Sequence, residues 1–507
     1  MTPIRLTGLD PTARALAETT LAWTDRWFDD DVGLLWNPPG SFTPDLADRS
    51  VHVVPTSAWY AIGLLARHLP GDADRAVRIL HAIAALQYDE PGTAWHGTFA
   101  RFREWPHPPA AAVEWVDYDP NWRQFVGTAL SLILRDHGPE LPRATVERLR
   151  AVRRRAVHGE PLGRIDPGYT NIALMHAWLL AEVGIDDDDA GVVARGEALA
   201  DAVVAVFDEH GAFAEHNSPT YYGIDLFALA LWARRSPTAR FRTAGARLEA
   251  ALWRDLAARY HPGLGELAGP YSRSYGMSMH RYVAAVAVWI AVHLGLDAAP
   301  LPPLGDVVAH GHDLPLAPVA ALLGTVVPDD AADRLRRLTE PRLVATTLPG
   351  ATSRLASTWL APGIAIGAAS CSAGWSAHRQ YHPATVHWAG PAGTAWLRLV
   401  HAGPADADLA PGRLRIRCRP HLRRGWSPPT LVVGGLAGNH VPDPSTRTRP
   451  AGIDATWTLP GLAVGLRTTA VAVRLDRDDD GSVRVVLDAD AASAELDVEL
   501  ELGPAPA

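Results

Sequence analysis

Up to roughly residue 335 the apolar positions recur at helical spacing. Leu199, Val203 and Val206 stand four and three apart, and so do Tyr282, Val286 and Trp289. Such spacing gathers side chains on one face of a helix. Similar stretches cover residues 12–29, 55–69, 73–88, 121–136, 143–158, 171–184, 219–235, 239–260 and 316–325. Some open with residues that suit a helix start: Asp72 before Ala73-Asp74-Arg75, and Ser218 as a cap before Pro219 at the first helical position. The pattern predicts about ten to twelve helices of roughly 14–20 residues, joined by loops rich in Gly, Pro and Asp. No sustained heptad is present, which argues against a coiled coil. Many antiparallel helices of similar length, each with a face to bury, close into a ring of hairpins or stack into a solenoid. No repeat is sharp enough for a named solenoid.

After residue 340 the period changes from helical to alternating. Val471, Val473 and Leu475 alternate with Ala472 and Arg474, and Val483, Val485 and Leu487 alternate similarly, the period of a half-buried strand. Asp478-Asp479-Asp480-Gly481-Ser482 between them is a hairpin turn. The run from Arg413 to Cys418 alternates too. Gly and Pro punctuate the region about every ten residues, as in an antiparallel sandwich. The expected division is a helical domain over 1–335 and a β domain over 342–507, with a polar linker around 326–342 opened by Pro328-Asp-Asp.

Composition narrows the function classes. With 507 residues the chain exceeds one ordinary core. A formal net charge of −9 argues against nucleic acid, which needs a dense Lys/Arg surface. An acidic glycan would require a local arginine cluster. No apolar run of about 20 residues predicts a membrane span. The start Met1-Thr-Pro-Ile-Arg-Leu lacks a secretory pattern, so the expectation is a cytoplasmic protein, or a secreted one if a leader was removed. Cys371 and Cys418 are the only cysteines, one pair at most and no disulfide framework. The 18 Trp against 9 Phe serve cores and sugar-stacking platforms alike, and most are expected to be core.

Two loops carry the densest chemistry. The first, Gly211 to Gly223, holds Glu215, His216, Asn217, Ser218, Tyr221 and Tyr222 between two helices, where a loop aims polar groups into a cleft. Capping by Ser218 or Asn217 and packing of the tyrosines is the competing account; it leaves Glu215, His216 and Tyr222 together unexplained. The second, Gly269 to Arg281, contains Tyr271, Arg273, Tyr275 and His280. Arg273 suits bidentate carboxylate binding, and Tyr275 is a candidate proton carrier; a polar loop with its arginine on backbone carbonyls is the alternative. Supporting loops bring Trp95 and His96, the stretch Asp117-Tyr118-Asp119-Pro120-Asn121-Trp122-Arg123, and Tyr169-Thr170-Asn171. Asn121 and Asn171, each taken singly, read first as helix caps. His378-Arg379-Gln380-Tyr381-His382-Pro383 lies in the β region, either reaching over the helical domain or on a strand edge. There is no His-Glu-x-x-His or Cys-x-x-Cys, no phosphate-binding glycine loop, and no G-x-S-x-G elbow. No metal ligand and no cofactor is predicted, although a structural divalent metal is left open.

These residues resemble a known family. Glu215-His216-Asn217-Ser218-Pro219-Thr220-Tyr221-Tyr222 looks like the Glu/Gln–Ser–Pro–x–Tyr segment of the heparinase II/III-like polysaccharide lyases, and Tyr271-Ser272-Arg273-Ser274-Tyr275 is similar to their Arg–Tyr loop. The resemblance implies an N-terminal (α/α) toroid, incomplete or of six hairpins, followed by an antiparallel β-sandwich. It implies a carbon–oxygen lyase acting on an acidic oligosaccharide or polysaccharide. In such lyases a uronic acid loses its C5 proton and the 4-linked sugar departs, after Asn, His or Arg neutralises the carboxylate. Carried over, Asn217, Asn171 and Arg273 are the neutralisers, His216 the base, and Tyr222 or Tyr275 base or acid. Asn121, Trp122, Trp95, His96, Tyr271, His280 and Gln380 are expected to bind substrate. The zinc ligands of some relatives have no counterpart that can be placed. The rival expectation is a glycoside hydrolase on the same scaffold, with Glu215 paired to Asp119, or Asp117, Asp225 or Glu266 as further carboxylates. A non-catalytic carbohydrate-binding protein is the third.

Overall fold

The computed structural model describes residues 4–40, 50–349, 354–370, 380–420, 428–436, 445–478, 481–490 and 492–505. The chain forms two compact units. The helical unit comprises Met1–Val206, Tyr221–Ala251 and His280–Val326; the sheet-bearing unit comprises Phe207–Thr220, Leu252–Met279 and Val327–Ala507.

The helices are α1 (Pro11–Asp25), α2 (Val54–Arg67), α3 (Asp72–Ala85), α4 (Trp122–His137), α5 (Arg143–His158), α6 (Thr170–Asp186), α7 (Ala190–His210), α8 (Tyr221–Arg234), α9 (Ala239–Arg259), α10 (Ala285–Leu294), α11 (Leu316–Leu323) and α12 (Asp329–Arg336). In the helical unit α2, α4, α6, α8, α10 and α11 pack in that order, and α11 returns to α2. The ring therefore closes into a toroid. Its inner helices α2, α6, α8, α10 and α11 are buried on nearly every side, as expected of helices apolar all round. The outer helices are one-faced. α3 buries the apolar Ala76, Ile79, Leu80, Ile83 and Ala84 on one face and exposes Ala73, Asp74, Arg78 and His81 on the other, a three–four spacing against α2. α1 lies on α11, α5 on α4 and α3. Backbones meet closely where glycine allows it: a Cβ on Gly196 of α7 would stand 2.6 Å from the Ala177 carbonyl oxygen of α6. Several tryptophans, among them Trp59, Trp178, Trp232 and Trp289, are core.

The sandwich strands are β1 (Arg342–Leu348), β2 (Arg354–Ala361), β3 (Ile364–Ala369), β4 (Ala384–Gly390), β5 (Gly393–Val400), β6 (Ala405–Ala410), β7 (Arg413–Cys418), β8 (Thr430–Gly434), β9 (Ser445–Arg449), β10 (Gly452–Leu459), β11 (Leu462–Thr468), β12 (Ala472–Arg477), β13 (Val483–Asp488) and β14 (Leu496–Pro504). One sheet of eight strands runs β12-β13-β8-β5-β4-β3-β2-β1, the other of six runs β6-β7-β14-β11-β10-β9. All the pairs are antiparallel. The alternation read from the sequence appears directly in β7. Leu414, Ile416 and Cys418 enter the core shared by both sheets, while Arg415 and Arg417 pair with Glu499 and Asp497 of β14. The β12–β13 hairpin closes with Arg477 opposite Val483.

Three details go beyond what the sequence pattern described. The polar stretch after Pro328 forms α12 rather than an open linker: Asp329 and Asp330 occupy its first turn, Arg334 and Arg336 its last, and Ala331, Ala332 and Leu335 are buried, a charge order that suits the helix dipole. α8 begins at Tyr221, two residues beyond Pro219, and the Ser218 hydroxyl donates to the Arg273 carbonyl, 2.6 Å. Short strands at Phe28–Asp29, Leu34–Trp36 and His52–Val53 form a small sheet in the helical unit, too brief to show a period. Cys418 is buried; Cys371, His378 and Arg379 lie outside the described residues. Among the described residues no helix is long and apolar enough to cross a membrane.

The ring depends on backbone approach between α8 and α10. A Cβ on Gly223 would stand 2.2 Å from the Ala285 carbonyl carbon, and backbone cannot yield as a side-chain tip can. Gly223→Ala is expected to cost about 1–3 kcal/mol in urea unfolding, whereas Gly138→Ala, with nothing within 4 Å of the added carbon, stays within roughly 0.5 kcal/mol.

Candidate functional site

Both information-rich loops fall largely in the sheet-bearing unit, and there the fold binds them together. Asn217 takes a left-handed conformation, φ 50°, which Asn tolerates better than most residues. Its carboxamide donates to the carbonyls of Ala268, 2.7 Å, and Pro270, 2.8 Å. The Ser272 amide donates to the His216 carbonyl. The second loop is in turn fixed to the sheet. Tyr271 and His382 exchange backbone bonds of 3.0 Å, and the Ser274 amide donates to the Gln380 carbonyl. Thr358 of β2 donates to the Gly269 carbonyl, 2.7 Å. A Cβ on Gly367 of β3 would stand 2.0 Å from the Gly269 carbonyl carbon, so the loop lies directly on β3.

This framework brings Glu215, Arg273 and Gln380 together. Glu215 is 3% exposed and accepts from the Arg273 Nη1 at 3.1 Å. The Arg273 Nε–H donates to the Gln380 Oε1 at 3.0 Å. Arg273 itself keeps some exposure, and Tyr275, two residues on, is exposed. His216 is buried, its Nδ1 3.9 Å from an Asp255 oxygen, and Asp255 is ion-paired with Arg259. Burial pushes the His216 imidazole down to about 3; the nearby Arg259 charge adds to this and Asp255 opposes it. It is a neutral imidazole at pH 7. Tyr271 is buried, its ring 6.3 Å from His382 and 6.2 Å from His387 and its hydroxyl donating to the Leu267 carbonyl. Glu266 accepts from the Met279 amide, 2.8 Å.

The helical unit gathers a second set. Asn121 stands at the start of α4 but does not cap it; its Nδ2 donates to the Tyr169 hydroxyl at 2.6 Å and its Oδ1 accepts from Arg164 at 3.2 Å. Arg164 pairs with Glu160, which also accepts from Gln124, 3.0 Å, and faces Arg123 at 3.5 Å. Gln124 contacts His176 at 3.2 Å. Burial would raise the Glu160 carboxyl, but the Arg164 bond and the charges of Arg164 and Arg123 outweigh it, and the net shift is downward. Asp119, nearly as enclosed, has no such pairing: burial pushes it up to about 6 against the Asn121 amide bond and the more distant Arg101 and Arg164. Asp117, by contrast, accepts from the exposed Val113 amide at 2.7 Å.

The remaining candidates are placed as follows. Asn171 is fully buried in the first turn of α6, Tyr222 is buried in the first turn of α8, and Asp225 is buried further along α8. Trp95 is buried with its ring 5.9 Å from Tyr118. His96 lies 3.7 Å from Asp89 and its carbonyl accepts from Arg123. Trp122 stacks near Phe125, 5.3 Å, with the Arg101 guanidinium 5.8 Å from its ring. His280 is exposed. Sequence reasoning did not single out Arg164, Glu160, His176 or Asp255; the turn Glu160-Pro161-Leu162-Gly163-Arg164 was the available signal for the first two.

The buried histidines make stability depend on pH. His216 titrates near 3 and His387 near 4 in the folded chain, against 6.5 ordinarily. Between those values the unfolded chain holds the proton and the folded chain does not. Their contribution is therefore complete above about pH 6.5 and is lost as pH falls, by on the order of 1 kcal/mol per histidine per pH unit. His387→Gln is expected to narrow its stability gap to wild type between about pH 7 and pH 5; a gap independent of pH in urea unfolding contradicts this.

The family model described as "Domain of unknown function (DUF8769)" matches residues 14–325. No curated protein matches the chain. Among solved structures, a Streptomyces coelicolor A3 chondroitin AC lyase in complex with chondroitin sulphate is similar at 14% identity and TM-score 0.46, covering 99% of this chain and 80% of that one. A GH127 β-L-arabinofuranosidase from Geobacillus stearothermophilus T6 is similar at 11% identity and TM-score 0.30, covering 97% and 94%. A heparinase III is similar at 9% identity and TM-score 0.29, covering 100% and 86%.

Proposed function

We propose, for a chain that belongs to the DUF8769 family, a glycan-active carbon–oxygen lyase that cleaves a uronic-acid-containing oligosaccharide or polysaccharide by β-elimination. The observation that carries this reading is the commitment of Glu215 to Arg273. Hydrolysis needs two carboxyl groups across the bond; Glu215, accepting from a guanidinium, is left the base or nucleophile role and would depend on a second carboxyl for the acid. The same cluster suits elimination. Arg273 is a fixed cation that can draw charge from a substrate carboxylate, and Glu215 and Gln380 set its direction. His216 is a neutral imidazole with a lone pair to accept the proton, but burial that lowers it to about 3 works against its strength as a base, so elimination requires bound substrate to raise its basicity. In the reaction the base takes the C5 proton, the C5–H electrons form the C4–C5 double bond, the C4–O bond breaks, and a tyrosine hydroxyl protonates the departing oxygen. Tyr275 or Tyr222 fills that last role.

A second reading rests on Asp119. A carboxyl pushed up to about 6 keeps part of its protons near neutrality, as a hydrolase's general acid must.

The two readings separate on the product. Elimination leaves a conjugated, ultraviolet-absorbing uronate, and hydrolysis leaves none. Against a panel of uronic-acid glycans the wild type is expected to generate that absorbance. His216→Ala and one of Tyr222→Phe or Tyr275→Phe lose about 10²–10⁴-fold in kcat, while Asp119→Asn retains most activity. New reducing ends without absorbance, abolished in Asp119→Asn, would overturn the lyase reading in favour of hydrolysis.

A further inference from the structure

The turn ahead of α11 carries His310-Gly311-His312-Asp313, which neither cluster above uses. His310 holds a left-handed conformation, φ 55°, unusual for a residue with a side chain. Gly311 is pressed on α1: a Cβ there would stand 2.7 Å from the Trp23 ring. The Gly311 amide donates to the Val308 carbonyl, and the Asp313 and Leu314 amides continue the turn. A backbone so fixed turns both imidazoles to one side, ring centroids 5.2 Å apart. The Asp313 carboxylate stands 3.5 Å from the His312 Nε2, beyond ordinary hydrogen-bond length. One donor atom from each of the three lies within 4.8 Å of the others.

We infer that His310, His312 and Asp313 bind one divalent transition-metal ion of the zinc class. Two imidazole nitrogens and a carboxylate oxygen suit zinc, cobalt or nickel far better than magnesium or calcium, which take oxygen donors. Three protein ligands leave a fourth position for water or another ligand. An ion with donors at about 2.0–2.2 Å sets them roughly 3.5 Å apart, so the trio has to close by on the order of an ångström, within the reach of χ rotations. Ligation takes both imidazoles neutral and the carboxylate ionised, and the ion itself is the counter-charge for Asp313. Arg101 opposes the ion at longer range, its guanidinium lying 5.1 Å from the Phe102 ring and 5.8 Å from that of Trp122. The Tyr282 ring is 5.8 Å from His310. This inference is independent of the elimination reading, because it concerns binding and not turnover.

The test uses the full chain, tag-free and stripped with a chelator, titrated with Co²⁺ and then Zn²⁺. Calorimetry gives stoichiometry, and the visible bands of Co²⁺ report nitrogen-rich, low-coordinate ligation. Expected are one site per chain, displacement of Co²⁺ by Zn²⁺, a rise in unfolding midpoint with metal, and affinity lower by about 100-fold or more in His312→Ala and Asp313→Asn. His107→Ala, at a surface His107–Glu90 pair, leaves the affinity unchanged. A wild type that binds neither ion stoichiometrically overturns the proposal whatever the variants do. Undiminished binding in both variants, with folding confirmed by circular dichroism, overturns it as well.

Discussion

Within the sheet-bearing unit one guanidinium fixes the candidate site. Arg273 joins Glu215, 58 positions before it, to Gln380, 107 positions after it. Glu215 is almost wholly buried, and a buried carboxylate that loses its cation typically costs about 3–5 kcal/mol. The pair is therefore better understood as a constraint on geometry than as a source of stability, since much of its attraction offsets desolvation. What it constrains is visible in the backbone: the bonds between Ser272 and His216, Tyr271 and His382, and Ser274 and Gln380 all lie within a few residues of it. Asn217 completes the arrangement by spending its amide hydrogens on Ala268 and Pro270. That makes Asn217 a residue that positions the loop, and within this unit the proposed neutralising role rests on Arg273.

The helical unit solves the same problem of buried charge in two ways. Glu160 is surrounded by Arg164, Arg123 and Gln124 and is held below the usual carboxylate range. Asp119 has an amide and distant cations and titrates near 6. Low dielectric amplifies the difference, because each missing partner is felt at nearly full strength. Pairs of carboxyls driven apart in this way are where acid and base roles are usually found, which is why Asp119, and not the better-bonded Glu160, is the competitor to elimination chemistry.

Much of the fold was legible because it rests on period. The stretch 143–158 coincides with α5 and 316–325 begins with α11, since three–four spacing survives whatever the helix packs against. The alternation of Arg413 to Cys418 became β7 for the same reason. Distant partners were not legible: the Ser218 hydroxyl donates to the Arg273 carbonyl 55 positions away, which no local pattern encodes. The loops holding Glu215 and Arg273 were legible as concentrations of chemistry. Their pairing was not, because nothing in either segment encodes which of the chain's 47 Lys and Arg residues would meet Glu215. The run His310-Gly-His-Asp escaped notice because its value lies in a left-handed turn that spacing on a helix or strand does not describe.

Tyr222 and Glu215 entered as rival signs, a phenol for elimination and a carboxylate for hydrolysis. The ion pair removes the symmetry between them. A carboxylate can serve hydrolysis without a proton, as nucleophile or base, but then a second carboxyl must supply the acid. Among the described residues of the sheet-bearing unit the other acidic groups near this cluster are committed: Asp255 to Arg259 and Glu266 to the Met279 amide. Elimination asks less of carboxylates and more of a cation, a neutral base and a phenol. In the proposed elimination, Arg273, His216 and Tyr275 are the residues asked to supply them, from two short loops of the sheet-bearing unit.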